Sequence, residues 1–250
     1  MCRPELRLGL RQVARIATDK PIMDIAQILW TIAVWLVPLV IAIVFHEVAH
    51  GVVANWLGDP TAAEQRRLTF NPVRHADPIG TVALPLVLAV SGAPVFGWAK
   101  PVPVDARRLR NPRWHMVLVA LAGPGINLLL AITAALLIAV VASVTGGEAG
   151  DISRFVVSNL INFVLINLFL AVFNLLPVPP FDGGHVVEGL LPRPLAYRYA
   201  QLGRFGIPVL LLLLLVLPML SPQLNVVERV VSPIVFGLAE ALLRLVGLGS

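Results

Sequence analysis

Apolar and polar positions along the chain fall in long blocks. From Ile25 to Gly58 the only Asp, Glu, Lys or Arg is Glu47. A helix over these residues would reach about 51 Å, too long for one ~30 Å hydrocarbon span and too short for two spans with a turn. Trp30 and Trp56 mark its two interfaces in this reading, because indole rings favour the headgroup level. His46 then lies about 15 Å inside the Trp56 end. Ile79 to Trp98 is apolar again but is broken by Gly80, Pro85, Gly92, Pro94 and Gly97. So many breakers disrupt a regular spanning helix. The pattern predicts a re-entrant hairpin or short strands, allowed at membrane depth only where protein or a cavity surrounds them.

Further spans are predicted at Met116–Val144, Phe155–Leu176 and Phe205–Leu220. The last segment begins near Pro233 and carries Glu240 and Arg244 at i,i+4 spacing, which reads as amphipathic and interfacial. Ahead of the first span, Arg3, Arg7, Arg11, Arg15 and Lys20 accompany Leu6, Leu10, Val13 and Ala17 at helical spacing. No small-x-small cleavage site follows, so this reads as a retained interfacial helix and not as a signal peptide. The expected fold is an all-α polytopic membrane protein of about four to six transmembrane helices, with a re-entrant hairpin near residues 79–98. Three parts follow from it: a basic amphipathic segment over 1–20, a membrane-embedded core over 21–204, and a C-terminal span with an amphipathic segment over 205–250.

Composition strengthens the membrane reading. Of 250 residues, 58% are hydrophobic and 13% charged, about half the usual ~25% charge, and the mean hydropathy is +0.86. So few charges cannot clothe a soluble domain, and the partner implied by the surface is the lipid bilayer. The net charge of +5 does not indicate nucleic acid, since no basic stripe with interleaved aromatics appears. The single cysteine, Cys2, excludes an internal disulfide and every multi-cysteine metal site. Loops 59–78, 99–113 and 177–204 together hold 11 Lys+Arg, against one in loop 145–154, which places those three loops in the cytoplasm. A single first span then puts the basic residues 1–20 outside, against the same rule. No pattern specifies an oligomer.

Candidate chemistry sits inside the first span. His46-Glu47-Val48-Ala49-His50 is an HExxH motif. On a helix, i and i+4 share one face about 5–6 Å apart, so both imidazoles can hold one metal. Glu47 projects about 100° from His46, where it can take a proton from water at that metal. Ionisable groups within a span are costly and mark a functional site by default. Catalytic zinc takes three protein ligands and keeps one open position. Asp182 is the outstanding third candidate, in Asn174-Leu-Leu-Pro177-Val-Pro179-Pro180-Phe-Asp182-Gly183-Gly184, where the third span breaks. The competing readings are a non-proteolytic scaffold holding transmembrane clients, an ion or proton transporter using the His/Glu/Asp cluster, and plain interhelical hydrogen bonding.

These residues carry a resemblance. HEVAH in a hydrophobic helix, followed by Asn174–Gly183, resembles the site-2 protease family of intramembrane zinc metalloproteases. Gly123-Pro124-Gly125-Ile126-Asn127 resembles that family's GPxxN stretch. Asn71-Pro72, His75-x-Asp77-Pro78 and Gly97-Trp-Ala-Lys-Pro101 resemble its compact bacterial and archaeal members, which lack PDZ and CBS domains. The resemblance covers about residues 30–190. It implies one Zn²⁺ per chain on His46, His50 and Asp182, with Glu47 as general base and acid. It also implies that Asn174 positions the scissile peptide or stabilises its oxyanion, that the substrates are transmembrane-helix proteins, and that the site opens to the cytoplasm of a prokaryotic cell membrane. The broken segment 79–98 is expected to offer strand edges to an unwound substrate.

The other polar residues divide. Asn159, Asn162, Asn167 and Asn174 fall on one helix face, which therefore points into the bundle. Asn167 reads as interhelical glue. Asn127 stays open between a role of its own and a mere companion of a packing kink. His75 and Asp77 read more as turn formers than as site residues, and His115 and His185 as interfacial.

Overall fold

A computed structural model describes residues 25–91, 97–145 and 150–248. The basic amphipathic segment predicted over 1–20 lies outside the described residues. Helix α1 (Ile25–Trp56) is continuous through Pro38. Its first half turns Trp35, Leu36, Val37 and Leu39 outward, whereas Ala42, Val44, His46, Val48, His50 and Ala54 are buried. The chain is apolar on nearly every face because part of α1 meets lipid and part meets protein.

A short helix α2 (Thr61–Glu64) follows. Residues Pro78–Ala83 then form one wide π-helical stretch that continues into α3 (Leu84–Ser91). The expectation of strands here is therefore corrected: the described residues contain no strand. The breakers fall where a helix tolerates them. Pro78 occupies the first helical position, Asp77 accepts from the amides of Ile79 and Gly80, and Pro85 follows the widened turn. The two limbs still meet at a common base, since the Trp98 amide donates to Gly80 O at 3.1 Å and Thr81 Oγ1 donates to Trp98 O at 2.9 Å. Residues 92–96 lie outside the described residues.

Two long helices complete the core, α4 (Pro112–Val144) and α5 (Asp151–Asn174). Among the described residues, these two and α1 are the three helices long and apolar enough to cross a membrane, and all three pack on one another. Ala131, Ala134, Ala135 and Ile138 of α4 meet Val164 and Leu168 of α5. Small alanines let the backbones approach, and close packing drives association where lipid removes the hydrophobic force.

Beyond Asn174 the chain turns sharply into α6 (Asp182–Leu190), which lies against α4. Contact is tight at Gly189, where a Cβ would come within 2.1 Å of Val117 Cγ2. Helix α7 (Arg193–Ala200) and the residues to Phe205 bend by 68° into Pro208–Leu220; α8 (Gly206–Leu211) begins at the bend and α9 (Leu217–Leu220) ends the segment. That bent pair makes a fourth span if it crosses as one. Helix α10 (Ser232–Leu245) packs on α5 through Val235 and Ala239 and carries the Glu240–Arg244 ion pair foreseen from the sequence. The protein is an all-α integral membrane protein, 79% helical.

Candidate active site

One turn of α1 brings His46 and His50 face to edge, with ring centroids 4.7 Å apart and Nε2 atoms 3.1 Å apart. His50 Nδ1 donates to the Val119 carbonyl of α4 at 2.7 Å. A carbonyl only accepts, so the proton is on Nδ1 and Nε2 keeps its lone pair. His46 Nδ1 donates to Asn127 Oδ1, also on α4, at 2.6 Å, which leaves the His46 Nε2 lone pair free as well. From the start of α6, Asp182 Oδ2 approaches these atoms at 3.1 and 3.4 Å. That oxygen is buried and has no hydrogen-bond donor.

With both imidazoles neutral, two lone pairs and a carboxylate oxygen crowd together here. Such a set repels itself unless a cation lies among the three atoms. Two imidazole nitrogens and one carboxylate are also the donor set of a catalytic zinc. His46, His50 and Asp182 present ligand atoms that all lie within 4.8 Å of one another. Zinc fits the site. Gly123 of α4 makes room for it, since a Cβ there would stand 2.4 Å from His50 Nε2.

Glu47 points to a different wall. Its Oε2 accepts from the Val102 amide at 2.7 Å. Val102 belongs to a non-helical stretch that the preceding polar loop holds in place. Arg67 donates to the carbonyls of Lys100 and Pro101, His75 O accepts from the Lys100 amide, and the fully buried Asp59 accepts from the Asp105 amide. Arg67, the His75 carbonyl and Asp59 thus hold the backbone that holds Glu47.

These groups surround a cavity of about 520 Å³, lined by His46, Glu47, His50, Val102, Asn174 and Asp182. Asn174 reaches it with one amide hydrogen committed to Leu170 O at 3.0 Å, which leaves the other free to donate. His185 and Glu188 also line the cavity, one turn and two turns beyond Asp182. His115 accepts from the Asn111 amide at the start of α4, and Asp77 caps the π-helical stretch as a turn former. Tyr199 of α7 ties the turn after α5 by donating to Pro177 O at 2.8 Å. Burial pushes its phenol pKa up, and the charge of Glu188 adds to this.

Sequence reasoning alone did not find the Val119 carbonyl, the Val102 amide or the space at Gly123. Backbone groups leave no signature in side-chain pattern; only the Gly123-Pro124-Gly125 run marked the place on α4 where an atom was missing.

Comparison with known proteins agrees with this chemistry. The sequence profile described as Peptidase family M50 matches residues 139–216. A Bacillus subtilis protein named "Putative zinc metalloprotease YwhC" is 37% identical over 193 residues, covering 76% of this chain and 84% of that one. The chain belongs to peptidase family M50, the site-2 protease family. A Mycobacterium tuberculosis protein named "Putative zinc metalloprotease Rip2" is 31% identical over 209 residues, 83% of this chain and 73% of its own. No solved structure matches. This M50 peptidase is a membrane zinc metalloprotease, and His46, His50 and Asp182, which could hold a metal ion, share one cavity with Glu47.

Proposed function

We propose that the protein is an intramembrane endopeptidase that cuts peptide bonds in or near the transmembrane segments of other membrane proteins. The observation that carries this is depth: the converging His46, His50 and Asp182 start ten residues inside the exposed Trp56 end of an apolar spanning helix. A metal site placed there serves a substrate that is itself in the bilayer. In this reading His46, His50 and Asp182 hold zinc. When bound, zinc supplies Lewis acidity that polarises the scissile carbonyl and acidifies water.

The protein's own groups do the rest. Glu47 takes the proton from the attacking water and passes it to the leaving amine. The Val102 amide holds one carboxylate oxygen, so the other is the one that handles the proton. The free amide hydrogen of Asn174 donates to the carbonyl oxygen as negative charge grows on it. A transmembrane helix hides its amides in i,i+4 bonds, so the substrate unwinds locally before attack. Residues 78–91 offer it no strand edge, because they are helical. The basic loops support a site that opens to the cytoplasm of a prokaryotic cell membrane, and the proposed substrates are single-span membrane proteins, after a first cut outside the membrane.

The test combines zinc content with cleavage of a single-span substrate in liposomes. Wild type binds one zinc and cuts. Glu47→Gln keeps zinc and loses about 10²–10⁴ in rate, the usual worth of a general base. Asp182→Ala loses zinc and cleavage together. Equal cutting by Glu47→Gln and wild type would overturn the assignment.

A further inference from the structure

Two asparagines that no catalytic role requires, Asn127 of α4 and Asn167 of α5, are both fully buried. The direction of every hydrogen bond between them can be worked out from one end. Asn167 Nδ2 lies 2.8 Å from the Phe163 carbonyl. A carbonyl cannot donate, so the Asn167 nitrogen faces Phe163 and its Oδ1 faces the other way. That oxygen receives Asn127 Nδ2 at 2.7 Å. The second hydrogen of the same Asn127 nitrogen goes to Ala42 O of α1 at 3.3 Å. With both amide hydrogens of Asn127 committed, its Oδ1 is the only atom left for His46 Nδ1, 2.6 Å away.

We infer that Phe163 O, Asn167 and Asn127 form a polarity relay across three spans that fixes the tautomer of His46, making Asn127 and Asn167 positioning residues for the metal. The relay forces the His46 proton onto Nδ1 and turns the Nε2 lone pair toward His50 and Asp182. An Asn127 rotated by 180° would present its amide hydrogens to Nδ1. It would then stabilise the tautomer whose proton blocks the metal face. Asn167 prevents that rotation. His50 needs no such device, because the Val119 carbonyl dictates its tautomer directly. Outer groups that fix imidazole orientation are commonly worth 10–100-fold in metal affinity. This inference rests on the zinc reading of the site, which the wild-type arm of the experiment checks on its own.

The experiment measures zinc affinity by competition with a chromogenic chelator, on the full chain in detergent micelles. The variants are Asn127→Ala, Asn127→Asp, Asn167→Leu, the Asn127→Ala/Asn167→Leu pair, and Asn162→Leu. Asn162 is the control: it is buried on the same α5 and donates to Val34 O of α1 at 2.9 Å, an interhelical bond outside the relay. Asn127→Ala is expected to weaken zinc 10–100-fold. Asn127→Asp still accepts from Nδ1 but sets an oxygen against Asn167 Oδ1 and Ala42 O, so it recovers only part of that loss. Asn167→Leu weakens zinc by a smaller factor, and the double variant is no worse than Asn127→Ala, because Asn167 acts only through Asn127. Asn162→Leu leaves zinc affinity within twofold of wild type. Histidine ¹⁵N spectra of the zinc-free protein show one Nδ1–H tautomer for His46 in wild type and a mixture in Asn127→Ala. Wild-type zinc affinity in Asn127→Ala, or an equal loss in Asn162→Leu, would overturn the relay while leaving the zinc site standing. No zinc in the wild type would overturn the site itself.

Discussion

Space around the imidazole pair is set by a single missing methyl group. Gly123 faces His50 Nε2 and His46 Cε1, and a Cβ would reach them at 2.4 and 2.6 Å. Neither ring can retreat, since Val119 O and Asn127 Oδ1 hold their far nitrogens. Gly123→Ala is therefore expected to weaken zinc about tenfold or more. The zinc-free protein should also be less stable, because overpacking of this kind costs about 1–3 kcal/mol, more than the roughly 1 kcal/mol that alanine gains over glycine in a helix. Chelator competition and thermal unfolding in detergent separate the two effects; unchanged zinc affinity would mean that the rings move aside freely. Of this site, the HExxH pair and Asp182 were legible in the sequence because their side chains are the chemistry. Asn127 was visible as a residue but not as a partner of His46, which required knowing that α4 crosses α1 at Ala42 and His46.

Helix α6 carries Asp182 at its first turn, and its placement depends on its other end. There Arg113 donates to the carbonyls of Gly189 and Leu191, both at 2.7 Å. Carbonyls at a helix C-terminus have no partners within the helix, and a cation there also meets the negative end of the dipole. Arg113→Met is expected to cost about 2–4 kcal/mol, from two charge-assisted bonds of about 1.5–3 kcal/mol each with partial rescue by water. Unfolding in detergent would show a lowered midpoint, and zinc would bind more weakly as Asp182 loses its register. Arg113→Lys should recover only part of this, because one ammonium does not reproduce the guanidinium fork. A lysine variant matching wild type in both readouts would count against the two-carbonyl cap. From sequence, Arg113 entered only as one cation of a basic loop; its target lies 76 residues away. The segment after Pro78 was misread toward strands for the opposite reason. Local breakers weigh heavily in sequence, whereas a wide turn accommodating Pro85 exists only once the helix is built.

At the scale of the whole molecule, the charge of the loops supports the proposed cytoplasmic orientation of the site. Arg107, in the loop before α4, is almost wholly exposed, as is Asp151 at the first position of α5. In a Cys2→Ala background, Asp151→Cys should react with a membrane-impermeant maleimide on intact cells. Arg107→Cys should react only after permeabilisation. The reverse pattern would turn the site outward and overturn the positive-inside argument.

The sequence by itself determined that this chain lives in a bilayer, that its spans are helical, and which three side chains are the candidates to hold a metal. Each of these follows from local rules: apolar length, helical i,i+4 geometry and the ligand chemistry of histidine and aspartate. Only the tertiary structure decided the carboxylate's companion amide at Val102, the clearance at Gly123 and the relay through Asn127 and Asn167. Those depend on backbone groups and on helix crossings between residues 40 to 85 positions apart, and a crossing is set by the packing of whole helix faces.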